Sequence, residues 1–313
     1  MFELNLTVVQ IVYIFITIVG VVGNVIILIV FGISRNLQTS TNALIMNLAF
    51  ADLMFLIFCV PFTAISYAKP WPFPDTICYM TIYLQYVTAY ASVWTLAVVC
   101  PISAISLRNI RNVIGICVLM WITILLCNLP SLRNIGVLRY EIQDEQLGTC
   151  VDSIPIALTN ATKVDALIFY MSFNVFAYLL PLGIISIFYI LMVKRLWKKK
   201  GDLKISKEAF RIKRRITKLV WLIILTFAIC WLPQNIRFAL KAIYYPSPIF
   251  WEKYDNEFFF AMQIAIQLLA YANSCMNPIL YGVLSERFRD FYRQIRLRRF
   301  GRSVDRKFIS ETR

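Results

Sequence analysis

Residues 258–281 read Phe258-Phe259-Phe260-Ala261-Met262-Gln263-Ile264-Ala265-Ile266-Gln267-Leu268-Leu269-Ala270-Tyr271-Ala272-Asn273-Ser274-Cys275-Met276-Asn277-Pro278-Ile279-Leu280-Tyr281, with no acidic or basic side chain. As a helix, this stretch rises about 36 Å, enough to cross roughly 30 Å of hydrocarbon. Its Gln, Asn and Ser side chains are costly in lipid unless they face a partner or a cavity. The stretch therefore reads as one membrane-crossing helix with a polar inner face, packed inside a bundle.

Six other apolar stretches precede it. The full set of spans is 9–33, 43–67, 76–100, 112–132, 167–193, 218–244 and 258–284. Each reaches the roughly 20 residues that a spanning helix needs, and none shows the short alternation of barrel strands. The fold class expected is an all-α membrane protein, a seven-transmembrane helix bundle forming one domain over 1–313. No internal repeat or low-complexity linker interrupts it. The first stretch lacks a basic leader and runs far past a signal-peptide core, so it reads as a retained span. After Tyr281, Leu284, Phe288, Phe291, Tyr292 and Ile295 recur at helical spacing with arginines between them. That pattern predicts a short amphipathic helix over about 285–299, lying on the membrane surface.

Composition agrees. Of 313 residues, 59% are hydrophobic and 16% charged, with a mean hydropathy of +0.68. Soluble domains run near 45–50% apolar and about 25% charged. A chain this apolar exceeds what one water-soluble core can hide, and it is not a disordered polymer. Histidine is absent altogether. Ser-His-Asp and Cys-His pairs, His-ligated zinc and the usual neutral-pH proton shuttle are thereby removed, and no enzyme is expected.

The net charge of +15 is one-sided. The first and third loops, the segment between spans five and six and the tail hold 25 Lys/Arg against 6 Asp/Glu; the opposite side holds 7 against 10. The positive-inside rule puts the basic side in the cytoplasm, with the N-terminus extracellular and the C-terminus cytoplasmic. Basic charge then marks orientation and contact with anionic membrane lipids, and no nucleic acid partner is expected. The sequons at Asn5 and Asn160 both fall outside, as candidate glycosylation sites. Of eight cysteines, Cys78 and Cys150 alone take outer positions, where a disulfide can persist.

Asp52 is the one acidic residue within a span core. Asn24, Asn47, Ser92, Asn273, Ser274 and Asn277 are placed to converge on it. A carboxylate among hydroxyl and amide oxygens suits a small hard cation, giving a possible sodium site at Asp52, Ser92, Asn273 and Asn277. The alternative is a hydrogen-bonded network that only holds helices together. Pro61, Pro181, Pro233 and Pro278 each remove a backbone donor inside a span, and such kinks open a cavity and supply hinges. Phe227 and Trp231 stand one turn apart beside Pro233.

In order along the chain, these features match a known pattern. Gly23-Asn24, Asn47 through Leu53 with Asp52, Trp71-Pro72-Phe73 before Cys78, Trp121, Pro181 with Tyr189, Phe227 through Pro233, and Asn273 through Tyr281 resemble rhodopsin-like (class A) G-protein-coupled receptors over nearly the full length. Tyr271-Ala272-Asn273-Ser274-Cys275 and Leu284 through Arg289 are similar to the galanin, somatostatin and allatostatin-A group. Pro101 through Asn112 is most similar to allatostatin-A receptors. The resemblance implies a multi-pass plasma-membrane receptor for a peptide ending in Phe-Gly-Leu-amide, with galanin- or somatostatin-like peptides as the alternative. It implies no cofactor beyond an allosteric sodium ion. It also implies an activation switch of Phe227, Trp231, Pro233, Asn277, Pro278, Tyr281 and Tyr189.

Gln85 stands where amine receptors of this family carry an acidic counter-ion, so an ammonium ligand has no partner there. Phe62, Gln85, Tyr86, Gln234, Asn235, Phe238, Gln263, Gln267 and Tyr271 are expected around the mouth of the cavity. This amide-rich, aromatic wall suits a neutral amidated peptide end. Glu141, Asp144, Glu145 and Asp152 read as solvated charge on the second outer loop.

One departure stands out. The chain passes directly from Leu96 to Ala97, where relatives carry about nine further residues including Asp-Arg-Tyr, some 13.5 Å of helix. Cys100 stands in place of the family histidine. The lost arginine is the family's main contact with the heterotrimeric G protein, so coupling is expected to be impaired. Three origins remain open: a gene-model error, a splice variant, or a receptor with rearranged coupling. A non-signalling decoy, or a partner that retains intact receptors, is the second functional class. Inside, residues 194–218 carry 12 Lys/Arg, a platform for a G protein or lipid. The tail has no cysteine for palmitate. With only Ser303, Ser310 and Thr312 scattered in it, strong arrestin recruitment is not expected.

Overall fold

The computed structural model describes residues 6–33, 39–104, 109–142, 145–152, 162–202, 207–245 and 257–284. Asn5, Asn160 and the expected amphipathic helix at 285–299 lie outside the described residues.

The apolar runs become helices whose starts are set by local capping. Helix α1 is Leu6–Ile33 and α2 is Ser40–Phe58. The Thr39 hydroxyl accepts from the Asn42 amide at 3.3 Å and so satisfies one free donor at the start of α2. The second span does not run through as one helix. It breaks at Cys59 and resumes as α3, Val60–Ala68, with Pro61 in its first turn. Proline cannot donate back to Ile57, so the break falls where the sequence removes a hydrogen bond. The Thr63 hydroxyl donates to the Cys59 carbonyl at 3.0 Å and helps satisfy the broken turn.

Helix α4, Asp75–Ala104, carries the third span without a break at Leu96. Its 30 residues rise about 45 Å. Leu96 and Ala97 are buried against Ile27, Leu48, Ile185 and Ile223. Asn109 caps α5, Ile110–Asn128, by accepting from the Arg111 amide at 3.0 Å. A 3₁₀ turn at Leu129–Asn134 ends the fourth span.

The expected purely α fold needs one correction. Gly136–Ile142 and Glu145–Val151 form an antiparallel hairpin, β1–β2, in register from Gly136 opposite Val151 to Ile142 opposite Glu145. Helix α6, Lys163–Phe173, opens on a reciprocal capping box between Thr162 and Asp165. A wide π turn at Asn174–Leu179 joins it to α7, Leu180–Asp202. Leu180 donates to Val175, five residues back, immediately before Pro181. The last two helices are α8, Lys207–Tyr244, and α9, Glu257–Leu284, with Pro233 and Pro278 inside them.

Among the described residues, six helical stretches are long and apolar enough to cross a membrane: Thr7–Gly32, Asn42–Ala68, Ile110–Asn134, Lys163–Leu191, Trp221–Tyr244 and Phe258–Leu280. The third expected span, α4, is helical but is not among the six. It is rich in Thr, Tyr and Gln side chains, which lower its hydropathy. Val8, Ile11, Phe15 and Ile18 of α1 and Leu119, Leu126, Ile168 and Leu179 of later helices are exposed, which gives the bundle an apolar outer belt.

Close approach of α1 and α9 rests on two glycines. A Cβ at Gly23 would lie 2.7 Å from Pro278 Cβ, and one at Gly20 would lie 2.8 Å from Cys275 Sγ. The proline ring cannot swing aside. Gly23→Ala is therefore expected to destabilise the bundle by about 1–3 kcal/mol. Thermal unfolding of the detergent-purified protein measures this, and an unchanged transition would show that α1 moves away freely.

Candidate functional site

Trp231 of α8 touches three apolar clusters at once. Above lies the outer cluster of Tyr13, Phe55, Cys59, Ile264 and Tyr271. Beside it lies the cluster of Trp71, Tyr86, Phe173 and Phe238. Below lie Val93, Tyr178 and Phe227. Phe173 and Phe227 stand 6.0 and 6.3 Å from the Trp231 ring. Displacement of the tryptophan therefore disturbs both outer clusters and the layer beneath.

The outer chamber is built around a hydrogen-bond chain across three helices. Gln85 of α4 donates to the Thr63 hydroxyl at 2.8 Å. The Tyr271 hydroxyl donates to the same oxygen at 3.3 Å. Gln267 donates to Tyr271 at 2.7 Å and accepts from Tyr67 through its other amide atom. Gln263 also lies against Tyr67. The structure thus brings Gln85, Gln263, Gln267 and Tyr271 together. Thr63 and Tyr67, which link them, were missed in sequence because a threonine and a tyrosine in an apolar run carry no distinguishing signal.

The opposite wall is aromatic. Tyr86 stacks edge-on against Phe169 and Phe173, and Phe238 packs 5.2 Å from Phe173. Phe62 meets Phe73 rather than Phe238, at 5.3 Å. The Tyr86 hydroxyl donates to Asp152 at 3.1 Å. Asp152 is thus not merely solvated loop charge. The hairpin brings it down onto α4, because the disulfide Cys78–Cys150 ties β2 to that helix. The Trp71 amide donates to the Gly148 carbonyl at 2.6 Å and closes the lid from the other edge.

Gln234 and Asn235 of α8 are both buried. Asn235 donates to the Trp231 carbonyl at 2.8 Å, and its own carbonyl oxygen, like that of Gln234, has no partner among the described residues. Beside them stands Arg237, 6% exposed, which sequence reading passed over as outer-side charge.

A cavity of about 940 Å³ lies between α4, α5 and the α6–α7 span. Of the expected ligand residues, only Tyr86 lines it, together with Trp94, Phe169, Phe173 and Phe176. Tyr86, Phe169 and Phe173 of the aromatic wall line it, whereas the polar chain from Gln85 to Tyr67 does not.

Toward the centre, Asp52 is 1% exposed and accepts from Ser92 at 3.0 Å and from Asn277 at 2.9 Å. Two of the residues expected to converge on it do otherwise. Asn24 donates to the carbonyls of Gly20 and Ser274. Asn47 faces the other way, donating to Thr95 and accepting from Trp121 at 2.9 Å. Ser274 also hydrogen-bonds Asp52, and Asn273 is buried on the same helix as Ser274 and Asn277. Asn277 turns its amide nitrogen to Asp52 and Ser92 its hydroxyl proton, so in this structure the residues form a hydrogen-bonded network, and an ion would need the amide turned to present its oxygen. Among the described residues, no group of three or more His, Cys, Asp or Glu is placed to hold a metal.

Of the expected switch residues, Phe227, Asn277 and Pro278 are buried and Tyr189 is half-buried. Tyr281 lies on α9, and its side chain is outside what the structure describes.

Comparison with known proteins fits this arrangement. Residues 23–281 match the 7 transmembrane receptor (rhodopsin family). The chain is 39% identical over 305 residues to a galanin-like G-protein coupled receptor, npr-9, of Caenorhabditis elegans, covering 88% of this chain and 70% of that protein. It is 38% identical to the allatostatin-A receptor of Bombyx mori, covering 90% and 77%. It is 30% identical to galanin receptor 2a of Danio rerio, covering 92% and 77%. With a matched family region from the first helix to the last, and with relatives of this identity, the chain belongs to the rhodopsin family of seven-transmembrane receptors.

Proposed function

We propose that this chain is a plasma-membrane receptor for an amidated neuropeptide of the allatostatin-A type, with α4 crossing as the third of seven helices and the N-terminus outside. The observation that carries this is the outer chamber. Its polar chain from Gln85 through Thr63, Tyr271 and Gln267 to Tyr67 offers amide and hydroxyl groups. Its facing wall of Tyr86, Phe173 and Phe238 supplies apolar area. A neutral peptide end with an aromatic or aliphatic side chain matches both. The relatives named for allatostatin-A and galanin support a peptide ligand.

Peptide seated above Trp231 would press on Phe227 and turn α8 about Pro233. The change would pass to Asn277, which donates to Asp52. Sodium held by Asp52, Ser92, Asn273 and Asn277 would stabilise the unliganded arrangement, and a ligand preferring the other arrangement then competes with it. Asp52→Asn is expected to remove the dependence of peptide affinity on sodium concentration. Titration of agonist binding in sodium against N-methylglucamine buffer measures this. A retained sodium effect would place the ion elsewhere.

Saturation binding with a panel of amidated peptides on expressing cells tests the function. Saturable binding of a Phe-Gly-Leu-amide peptide is the expected result; saturable binding of galanin or somatostatin alone would replace the ligand class.

The stretch absent between Leu96 and Ala97 favours a second role, that of a decoy or of a partner that retains intact receptors. Co-expression with an intact allatostatin-A-type receptor tests it. Unchanged surface level and signalling of that receptor would exclude retention.

A further inference from the structure

Among the described residues, eight buried polar side-chain atoms have no hydrogen-bond partner, and five of them lie close together in the fold. Tyr13 Oη, Gln234 Oε1, Asn235 Oδ1, Arg237 Nε and Arg237 Nη1 all belong to α1 and α8 at the outer end of the bundle. Arg237 is 6% exposed, and among the described residues no carboxylate stands within ion-pairing distance of it. Its guanidinium lies 5.7 Å from the centroid of the Phe238 ring, so it is held over an aromatic wall of the chamber. Its charge is felt by Tyr13, Tyr67 and Tyr86 on the helices around it.

A buried guanidinium with unused N–H groups is expensive, as is a buried carbonyl oxygen with no donor. Here two unused donors and two unused acceptors lie on neighbouring residues of one helix. Asn235 cannot simply rotate to become the donor, because its amide nitrogen is engaged by the Trp231 carbonyl at 2.8 Å. The set therefore asks for one group that both accepts and donates. A primary amide does so, with one carbonyl oxygen and two N–H donors. A carboxylate only accepts and would face the Gln234 and Asn235 oxygens. Charge leads to the same choice. Asp152, bonded to Tyr86, acts on the same Tyr67 and Tyr86 as Arg237 does. With one positive and one negative charge already at this end of the bundle, a neutral ligand end adds none, while a carboxylate adds a second negative charge.

We infer that Arg237, with Gln234 and Asn235, is the site that reads the terminal amide of the peptide, the arginine donating to its carbonyl oxygen and the two side-chain carbonyls accepting from its nitrogen. This rests on the amidated-peptide function proposed above and names the residue that sets its specificity. Arg237 has no other ligand role assigned, and its neighbours Ile236 and Phe238 divide between the apolar belt and the aromatic wall.

The test compares a synthetic peptide ending in Phe-Gly-Leu-amide with the same peptide as a free acid, on the intact chain, Arg237→Gln and Arg237→Lys. Binding is counted per monodisperse receptor after size exclusion, so that misfolded protein does not enter. The intact chain is expected to prefer the amide by at least about tenfold, on the scale of a buried charge-assisted hydrogen bond. Arg237→Gln is expected to lose amide affinity by about 10- to 100-fold and to collapse the preference over the acid, while Arg237→Lys restores part of both. Equal or tighter binding of the free acid to the intact chain would overturn the inference, since the arginine would then read a carboxylate. Unchanged amide affinity in Arg237→Gln would overturn it as well, leaving the ligand class standing. If neither peptide binds the intact chain, the ligand class itself fails and the inference falls with it.

Discussion

Inserting about nine residues that contain Asp-Arg-Tyr between Leu96 and Ala97 is expected to raise peptide-stimulated G-protein activation by on the order of a hundredfold, with peptide affinity changed less than about threefold. The insertion adds about 13.5 Å of helix at the inner end of α4. Everything that builds the outer chamber on this helix, from Cys78 to Gln85 and Tyr86, and the central Ser92 below it, lies above the junction and keeps its register. What changes lies below. Leu96 and Ala97 are packed against Leu48, Ile185 and Ile223, so the junction itself is held by apolar contacts. The helix, Asp75–Ala104, carries no arginine of its own. Restoring a buried arginine with two or more charge-assisted hydrogen bonds at ~1.5–3 kcal/mol each accounts for the expected gain. Nucleotide exchange on purified G protein, measured in membranes containing each form, decides the matter. Equal exchange by the unmodified chain would show that coupling does not use this stretch.

Replacing Cys78 by serine is expected to cost about 2–5 kcal/mol of stability and to lower peptide affinity at least tenfold. The bond joins residues 72 apart in sequence and pins β2 against the outer end of α4. Three contacts depend on that placement: Asp152 with Tyr86 at 3.1 Å, Trp71 with Gly148 at 2.6 Å, and Arg139 with Asp75 at 2.7 Å. The last is an exposed pair worth little by itself. The first two define the wall and lid of the chamber. Thermal unfolding and saturation binding of Cys78→Ser, compared with the same measurements on the parent under reducing conditions, test this. Full binding in the variant would mean the hairpin holds its position without the disulfide.

The helices were legible because lipid imposes a simple demand: about 20 apolar residues with every backbone group bonded within the segment. Helix breaks were legible where proline announces them, as at Pro61. The wide turn before Pro181 was legible only as a kink, because its geometry depends on how Leu180 finds an acceptor five residues back. The hairpin was not legible, since seven-residue strands with Arg139, Glu141 and Glu145 show no clean apolar alternation. Chamber residues in the last helix stood out as amides in an apolar run. Thr63 and Tyr67 did not, because their roles arise only when α3 meets α9. Asn47 was legible as a polar residue in lipid, but not its direction. It points to Trp121 because α5 packs on that side of α2. Arg237 was hidden for a different reason: a basic residue near an outer helix end ordinarily reaches water, and only the packed neighbours show that this one does not.

The most direct test is covalent. A Phe-Gly-Leu-amide peptide carrying a photoreactive group on its terminal leucine, irradiated on the intact chain and mapped by mass spectrometry, is predicted to label the chamber wall around Trp231, Phe238, Gln267 and Tyr271, with labelling abolished by excess unlabelled amide. Competable labelling confined to the cavity between α4, α5 and the α6–α7 span, at Leu119, Ile168 or Phe176, would contradict a peptide site in the outer chamber.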